Sequence, residues 1–128
     1  PRGYKMVPHF QIGLWETHLF IWYAVIYEAK GKEPIGQHFL SRTQEIQESI
    51  PANYVWSIDH MKPDVIHHDT LSTEDLNKMF ERLATVKKAE LLCGFQLSRD
   101  EAVKIPGDEL IEMIRDVFVH LLPLYNVE

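Results

Sequence analysis

The chain has 128 residues, enough for one domain with a real core, and its 45% hydrophobic and 25% charged residues match an ordinary globular protein rather than a disordered or fibrous one. A net charge of −6 at pH 7 argues against a nucleic-acid binder driven by bulk electrostatics. The acidity sits in the second half, since residues 1–68 hold six Lys and Arg against seven Asp and Glu, and residues 69–128 hold seven against twelve.

Cys93 is the only cysteine, so an intrachain disulfide, a zinc ribbon and a redox dithiol are all excluded. That usage fits a reducing cytosol, and a cytoplasmic location is the expectation. The longest apolar run, Leu19 to Tyr27, is nine residues, well short of a membrane-spanning helix. No signal-peptide pattern precedes it, and no membrane association is expected. The chain opens on Pro1-Arg2-Gly3 and enters strand-like sequence almost at once, which suggests a fragment of something longer.

In chain order, Met6, Pro8, Phe10, Ile12 and Leu14 alternate with His9, Gln11 and Gly13, the period of a half-buried strand whose polar face carries His9 and Gln11. The run LFIWYAVIY is β-branched and aromatic on both faces, so it reads as the partner strand of a hairpin, central and covered on both sides. Pro34 suits the first turn of a helix, and Ile35, Phe39, Ile46 and Ile50 extend it until Pro51. Tyr54, Trp56 and Ile58 alternate again, giving a strand that presents Ser57 and Asp59 on its other face and runs into the segment IDHMKPD.

Ser72-Thr73-Glu74-Asp75 is a capping-box pattern with Leu71 and Leu76 placed as a hydrophobic staple, and Met79, Phe80 and Leu83 continue the helix. Residues 89–97 read as a further strand. Pro106-Gly107-Asp108 opens a last helix with Leu110, Ile114, Val117, Phe118, Leu121 and Leu122 on one stripe. Strands and helices intermix without regular βαβ alternation, so the expected fold is a single α+β domain over residues 1–128, with a mainly antiparallel sheet and about three helices.

Four stretches carry a resemblance: GYKMVPHFQIG (Gly3–Gly13), YEAK (Tyr27–Lys30), DHMKPD (Asp59–Asp64) and VKKAE (Val86–Glu90). In order and approximate spacing they resemble the YktB-like family, small bacterial proteins of uncharacterised function. The resemblance covers nearly the whole chain, and it implies α+β architecture, a bacterial cytosol and an additional N-terminal portion in family members. The chain departs from the family pattern at Ala89, where glycine is usual, which bears on how closely backbones approach there. The resemblance supplies no activity.

Asp59, His60, Asp64, His67, His68 and Asp69 place six potential metal ligands within eleven residues, and imidazole with carboxylate suits zinc, iron or manganese. No HExxH-type spacing fixes any two on one face, and adjacent His67 and His68 in a strand point to opposite faces, so no metal is assigned. Asp59 and Asp64 also read as turn caps around Pro63. A second group is cationic: Lys62 at a strand end, Lys87 and Lys88 at a helix end, and Lys5 and Lys30 at the ends of the hairpin. The helix macrodipole alone explains Lys87 and Lys88. Gathered in one concave site with His9, Gln11 and Asp59, the lysines suit a phosphate, a carboxylate or a nucleotide-like ligand, although neither a Walker A loop nor GxGxxG is present.

Glu28-Ala29-Lys30 with Pro63-Asp64 matches a restriction-type nuclease only in reversed order. Cys93, among Leu91, Phe95 and Leu97, reads as a buried, inert thiol. Ser57 and His60 lie too close in extended chain to form a triad alone. His18 and His38 read as surface residues and His120 as a boundary residue. Trp15, Trp22, Tyr23, Trp56 and Phe95 are better explained by sheet packing than as a base-stacking platform.

The sequence therefore points to a pocket rim formed by His9, Gln11, Asp59, His60, Lys62, Asp64, Lys87, Lys88 and Glu90, binding a small anionic ligand. The runner-up is a protein-interaction or structural module, including a homo-oligomer, and a metal-assisted hydrolase comes third. No reaction and no cofactor class is assigned.

Overall fold

Local hydrophobic patterning builds most of the sheet. A computed structural model describes residues 7–62 and 64–125; Lys5 and Met6 at the start of the expected hairpin, and Pro63 at the expected turn, lie outside these residues. Along the chain run β1 (His9–Leu14), β2 (His18–Val25), α1 (Lys32–Ser41), α2 (Thr43–Ser49), β3 (Val55–Ser57), β4 (Ile66–His67), α3 (Thr73–Thr85), β5 (Leu91–Ser98), α4 (Arg99–Lys104) and α5 (Gly107–Tyr125). All pairings are antiparallel in one sheet of order β1-β2-β5-β3-β4, so the fold is α+β as expected.

The side-chain alternation of the strands divides the sheet into two faces. Ile21 and Tyr23 of β2, Leu91 and Cys93 of β5, and Trp56 of β3 join Phe39, Leu76, Phe80 and Leu121 from the helices in the main core. The opposite face carries a smaller cluster of Trp22, Ala24, Ile26, Val55 and Leu92, with Phe20 and Val65 packed on it. Val65 belongs to the segment between β3 and β4, so that loop turns back over the second face.

β2 is an interior strand, and β5 takes the middle place in the sheet. Close approach of the two is possible because Gly94 has no side chain: a Cβ there would lie 1.8 Å from the carbonyl oxygen of Ile21. Gly31 supplies the other special conformation, entering α1 at φ 77°.

Among the described residues five α-helices form where about three were expected. The single helix expected from Pro34 to Pro51 is divided at Arg42, whose backbone leaves helical geometry at φ −131°. Thr43 explains the division, because its hydroxyl lies within hydrogen-bonding distance of the Phe39 and Leu40 carbonyls and, at 2.5 Å, of Asn77 Oδ1 on α3. The second addition, α4, has six residues and no buried position, so it has no periodicity to reveal it. Its start is set by Ser98, whose Oγ accepts the Glu101 N–H at 3.2 Å. The Ser72 capping box forms as the sequence indicates, with reciprocal bonds of 3.1 and 3.0 Å to Asp75.

Candidate functional site

The segment IDHMKPD begins where β3 ends at Ser57, and Asp59 shapes it. The Asp59 carboxylate accepts the Met61 N–H at 2.9 Å, its carbonyl accepts the Lys62 N–H at 3.2 Å, and its own N–H donates to Ser57 Oγ at 3.2 Å. This is the local turn chemistry aspartate favours, and it leaves Oδ2 4.0 Å from the Lys62 ammonium.

Glu90 ties the loop to the sheet. It lies just before β5 and is 5% exposed, so its carboxylate requires partners. It accepts the Tyr27 N–H at 2.9 Å and the His60 N–H at 2.9 Å, and His60 Nδ1 donates to it at 2.7 Å. The Tyr27 ring stacks on the His60 ring with centroids 6.4 Å apart. Lys32, in the first turn of α1, fastens the neighbouring turn by donating to the carbonyls of Val86, Lys87 and Ala89 at 3.2, 2.5 and 2.7 Å. Burial holds the Lys32 ammonium below its ordinary pKa, Glu90 opposes that shift, and Arg82 adds to it. The stretches Tyr27–Lys30, Asp59–Asp64 and Val86–Glu90 are thus drawn together around one buried carboxylate.

Two depressions flank the loop. A cleft of about 380 Å³ is lined by Ser57, Ile58, Asp59, Lys62, Asp64, Val65, Ile66 and Arg82. On the other side a narrow groove runs between His60 and Lys62 and the second sheet face, with Gln11, Trp22 and Gln96 on its walls. Lys62 lines both. Among the described residues, the Arg82 guanidinium has no hydrogen-bond or ion-pair partner.

The structure therefore brings together Gln11, Asp59, His60, Lys62, Asp64 and Glu90 of the residues selected from the sequence. His9 is one step removed, with its Nε2 2.7 Å from Gln11 Nε2. Lys87 and Lys88 are exposed and line neither depression; Lys87 takes part only through its carbonyl. Sequence reasoning missed Arg82 and Lys32. Arg82 shares α3 with the buried Phe80 and Leu83, and its position beside the cleft depends on how α3 docks rather than on any motif.

His67 is exposed, whereas His68 is buried, accepting the Trp56 indole N–H at 2.9 Å on Nδ1 with Nε2 2.9 Å from the Gln47 carbonyl. Among the described residues that pair shares no cluster of potential ligands. Ligand-capable atoms of Asp59, His60 and Glu90 do lie together, all within 4.8 Å of one another.

An α+β domain with one antiparallel sheet and a loop-built cleft at the end of β3 is the class of protein defined here. Residues 1–125 match the family model described as domain of unknown function DUF1054. The chain belongs to this family, the uncharacterised, YktB-like group that its motifs resemble. It is 49% identical over 126 residues to a UPF0637 protein of Bacillus cytotoxicus, covering 98% of this chain and 61% of that relative. It is 52% identical over 124 residues to a UPF0637 protein of Bacillus thuringiensis strain Al Hakam, covering 97% of this chain and 60% of the relative. A UPF0637 protein of Bacillus velezensis is 46% identical over 126 residues, again with 98% and 60% covered. The chain thus spans about three fifths of the length of these relatives. No helix among the described residues is long and apolar enough to cross a membrane.

Proposed function

We propose that the cleft between the Ile58–Ile66 segment and Arg82 binds a small anionic ligand, a phosphate or carboxylate compound. The observation that carries this reading is the pairing of Lys62 and Arg82 along one cleft, with the guanidinium uncommitted to any described residue. A guanidinium presents a planar fork matched to phosphate and carboxylate oxygens, while an ammonium on a flexible stem adds a mobile charge. The volume of about 380 Å³ lies at the small-molecule end of binding sites. Asp59 and Asp64, on the same walls, would accept hydroxyl or amino groups of the ligand.

Isothermal titration with inorganic phosphate and with citrate tests the reading. Arg82→Ala and Lys62→Ala should each weaken binding by about tenfold or more, the loss of one charge-assisted contact. Unchanged affinity in both variants, or no binding of either probe to the parent chain, would sink it.

A structural or interaction role is the second reading, favoured by Glu90. Its carboxylate holds two backbone N–H groups and an imidazole, which a loop fastener requires and ligand binding does not. Intact anion binding after Glu90→Gln, together with a large loss of stability, would assign Glu90 to that role alone. A cytoplasmic location completes the proposal, motivated by the lone buried thiol of Cys93, and fractionation of cells producing the protein would check it.

A further inference from the structure

Besides fastening the loop, Glu90 and His60 place ligand-capable atoms close to a second carboxylate. The Glu90 carboxylate is 5% exposed, yet the Lys32 ammonium, whose charge acts on it, donates to the carbonyls of Val86, Lys87 and Ala89 instead. The side chain in direct contact with it is the His60 imidazole, with Nδ1 2.8 and 2.7 Å from the two carboxylate oxygens. Asp59, the preceding residue, adds a second carboxylate within 4.8 Å. Its side chain is 42% exposed, with Oδ1 accepting the Met61 N–H at 2.9 Å and Oδ2 4.0 Å from the Lys62 ammonium.

We propose that Asp59, His60 and Glu90 form a binding site for one divalent first-row transition ion, of the Mn²⁺, Fe²⁺ or Zn²⁺ class. One imidazole nitrogen with two carboxylates is a donor set that suits these ions better than the all-oxygen shells of Ca²⁺ or Mg²⁺. Bonds of roughly 2.1 Å meeting at about a right angle place two donor atoms roughly 3 Å apart. The His60 and Glu90 atoms are already near that separation, and a few tenths of an ångström admits the ion in place of the proton between them. Solvent takes the Nδ1 proton and Nε2 carries the ring proton in the bound state, so His60 binds the ion through Nδ1 as the neutral Nε2–H tautomer.

The backbone supports the site without the ion. The His60 N–H and the Tyr27 N–H both donate to Glu90, fixing the carboxylate and the loop backbone that carries Asp59. Asp59 gives up its contact with Lys62, which at 4.0 Å is weak. The remaining coordination positions would hold water.

This proposal stands apart from the anion reading, since it concerns the ion alone. Electron paramagnetic resonance of Mn²⁺ titrated into the protein in phosphate-free buffer measures it. One bound Mn²⁺ per chain is expected, and both His60→Ala and Asp59→Asn should weaken it by about tenfold or more. Asp59→Asn changes a partly exposed side chain, so the test survives if His60→Ala folds poorly. Absence of binding at millimolar Mn²⁺ and Zn²⁺ would overturn the proposal. So would binding of unchanged affinity in both variants, which would locate the ion elsewhere, for example among Asp108, Glu109, Glu112 and Asp116 on α5.

Discussion

His60 and Glu90 lie 30 residues apart in sequence, and Nδ1 of the first is 2.7 Å from a carboxylate oxygen of the second. The contact joins the loop after β3 to the start of β5. Because the same carboxylate also accepts the Tyr27 N–H, three segments depend on one side chain.

Glu90→Ala removes the acceptor for two backbone N–H groups in partly buried surroundings. Each orphaned donor costs about 1–3 kcal/mol, so a loss of about 3 kcal/mol is expected in urea unfolding. Glu90→Gln keeps one carbonyl oxygen and should lose less. A loss under about 1 kcal/mol for the alanine variant would show that water replaces the carboxylate.

Gly94→Ala meets backbone rather than a movable side chain, with the new Cβ 1.8 Å from the Ile21 carbonyl oxygen. The two most extensively paired inner strands would have to separate, so destabilisation of about 3 kcal/mol or more is expected, at the upper end of overpacking costs. Circular dichroism during thermal unfolding would record it, and an unchanged melting temperature would contradict the close β2–β5 approach.

Asp75 sets a limb of the acid unfolding profile. The Ser72 backbone N–H is the main cause that holds its carboxyl below the usual value, followed by the Ser72 hydroxyl. A depressed folded pKa means that the stabilisation is complete above the unfolded value of 3.8 and is lost as pH falls through the folded value. Asp75→Asn should lower urea midpoints by a similar amount at neutral and alkaline pH and flatten their fall as pH drops below 3.8.

Tyr54 acts at the other extreme. Burial first, then the proximity of Cys93 and Asp116, pushes its phenol up to about 12 from 10.0. Folding therefore favours the protonated phenol, and this contribution is complete below pH 10 and lost as pH rises from 10.0 towards 12. Tyr54→Phe should weaken the decline in stability across that window. Spectroscopic titration at 295 nm would follow Tyr54 directly once the other tyrosines have ionised.

Much of the fold was legible because local pattern and burial coincide. Phe10, Trp56 and Leu91 alternate as their strands do, and Ser72 announces α3 through a capping box that forms as written. The division at Arg42 was not legible, since it depends on the Thr43 hydroxyl meeting Asn77, 34 positions along the chain. The two-residue β4 and the six-residue α4 are too short for any period. At the site, Asp59, His60, Lys62 and Asp64 stood out because polar and turn-forming residues follow a strand. Arg82 and Lys32 could not, because single cations on helices acquire meaning only from docking. Lys87 and Lys88 drew attention as charges, yet the turn they occupy contributes carbonyl groups.

The most direct measurement is a ¹⁵N–¹H correlation spectrum of the chain titrated with inorganic phosphate, repeated on Arg82→Ala. A ligand-binding cleft predicts saturable shifts confined to Ser57–Ile66 and the Arg82 region, and their loss in the variant. Shifts scattered over the surface, or a response identical in Arg82→Ala, would contradict it.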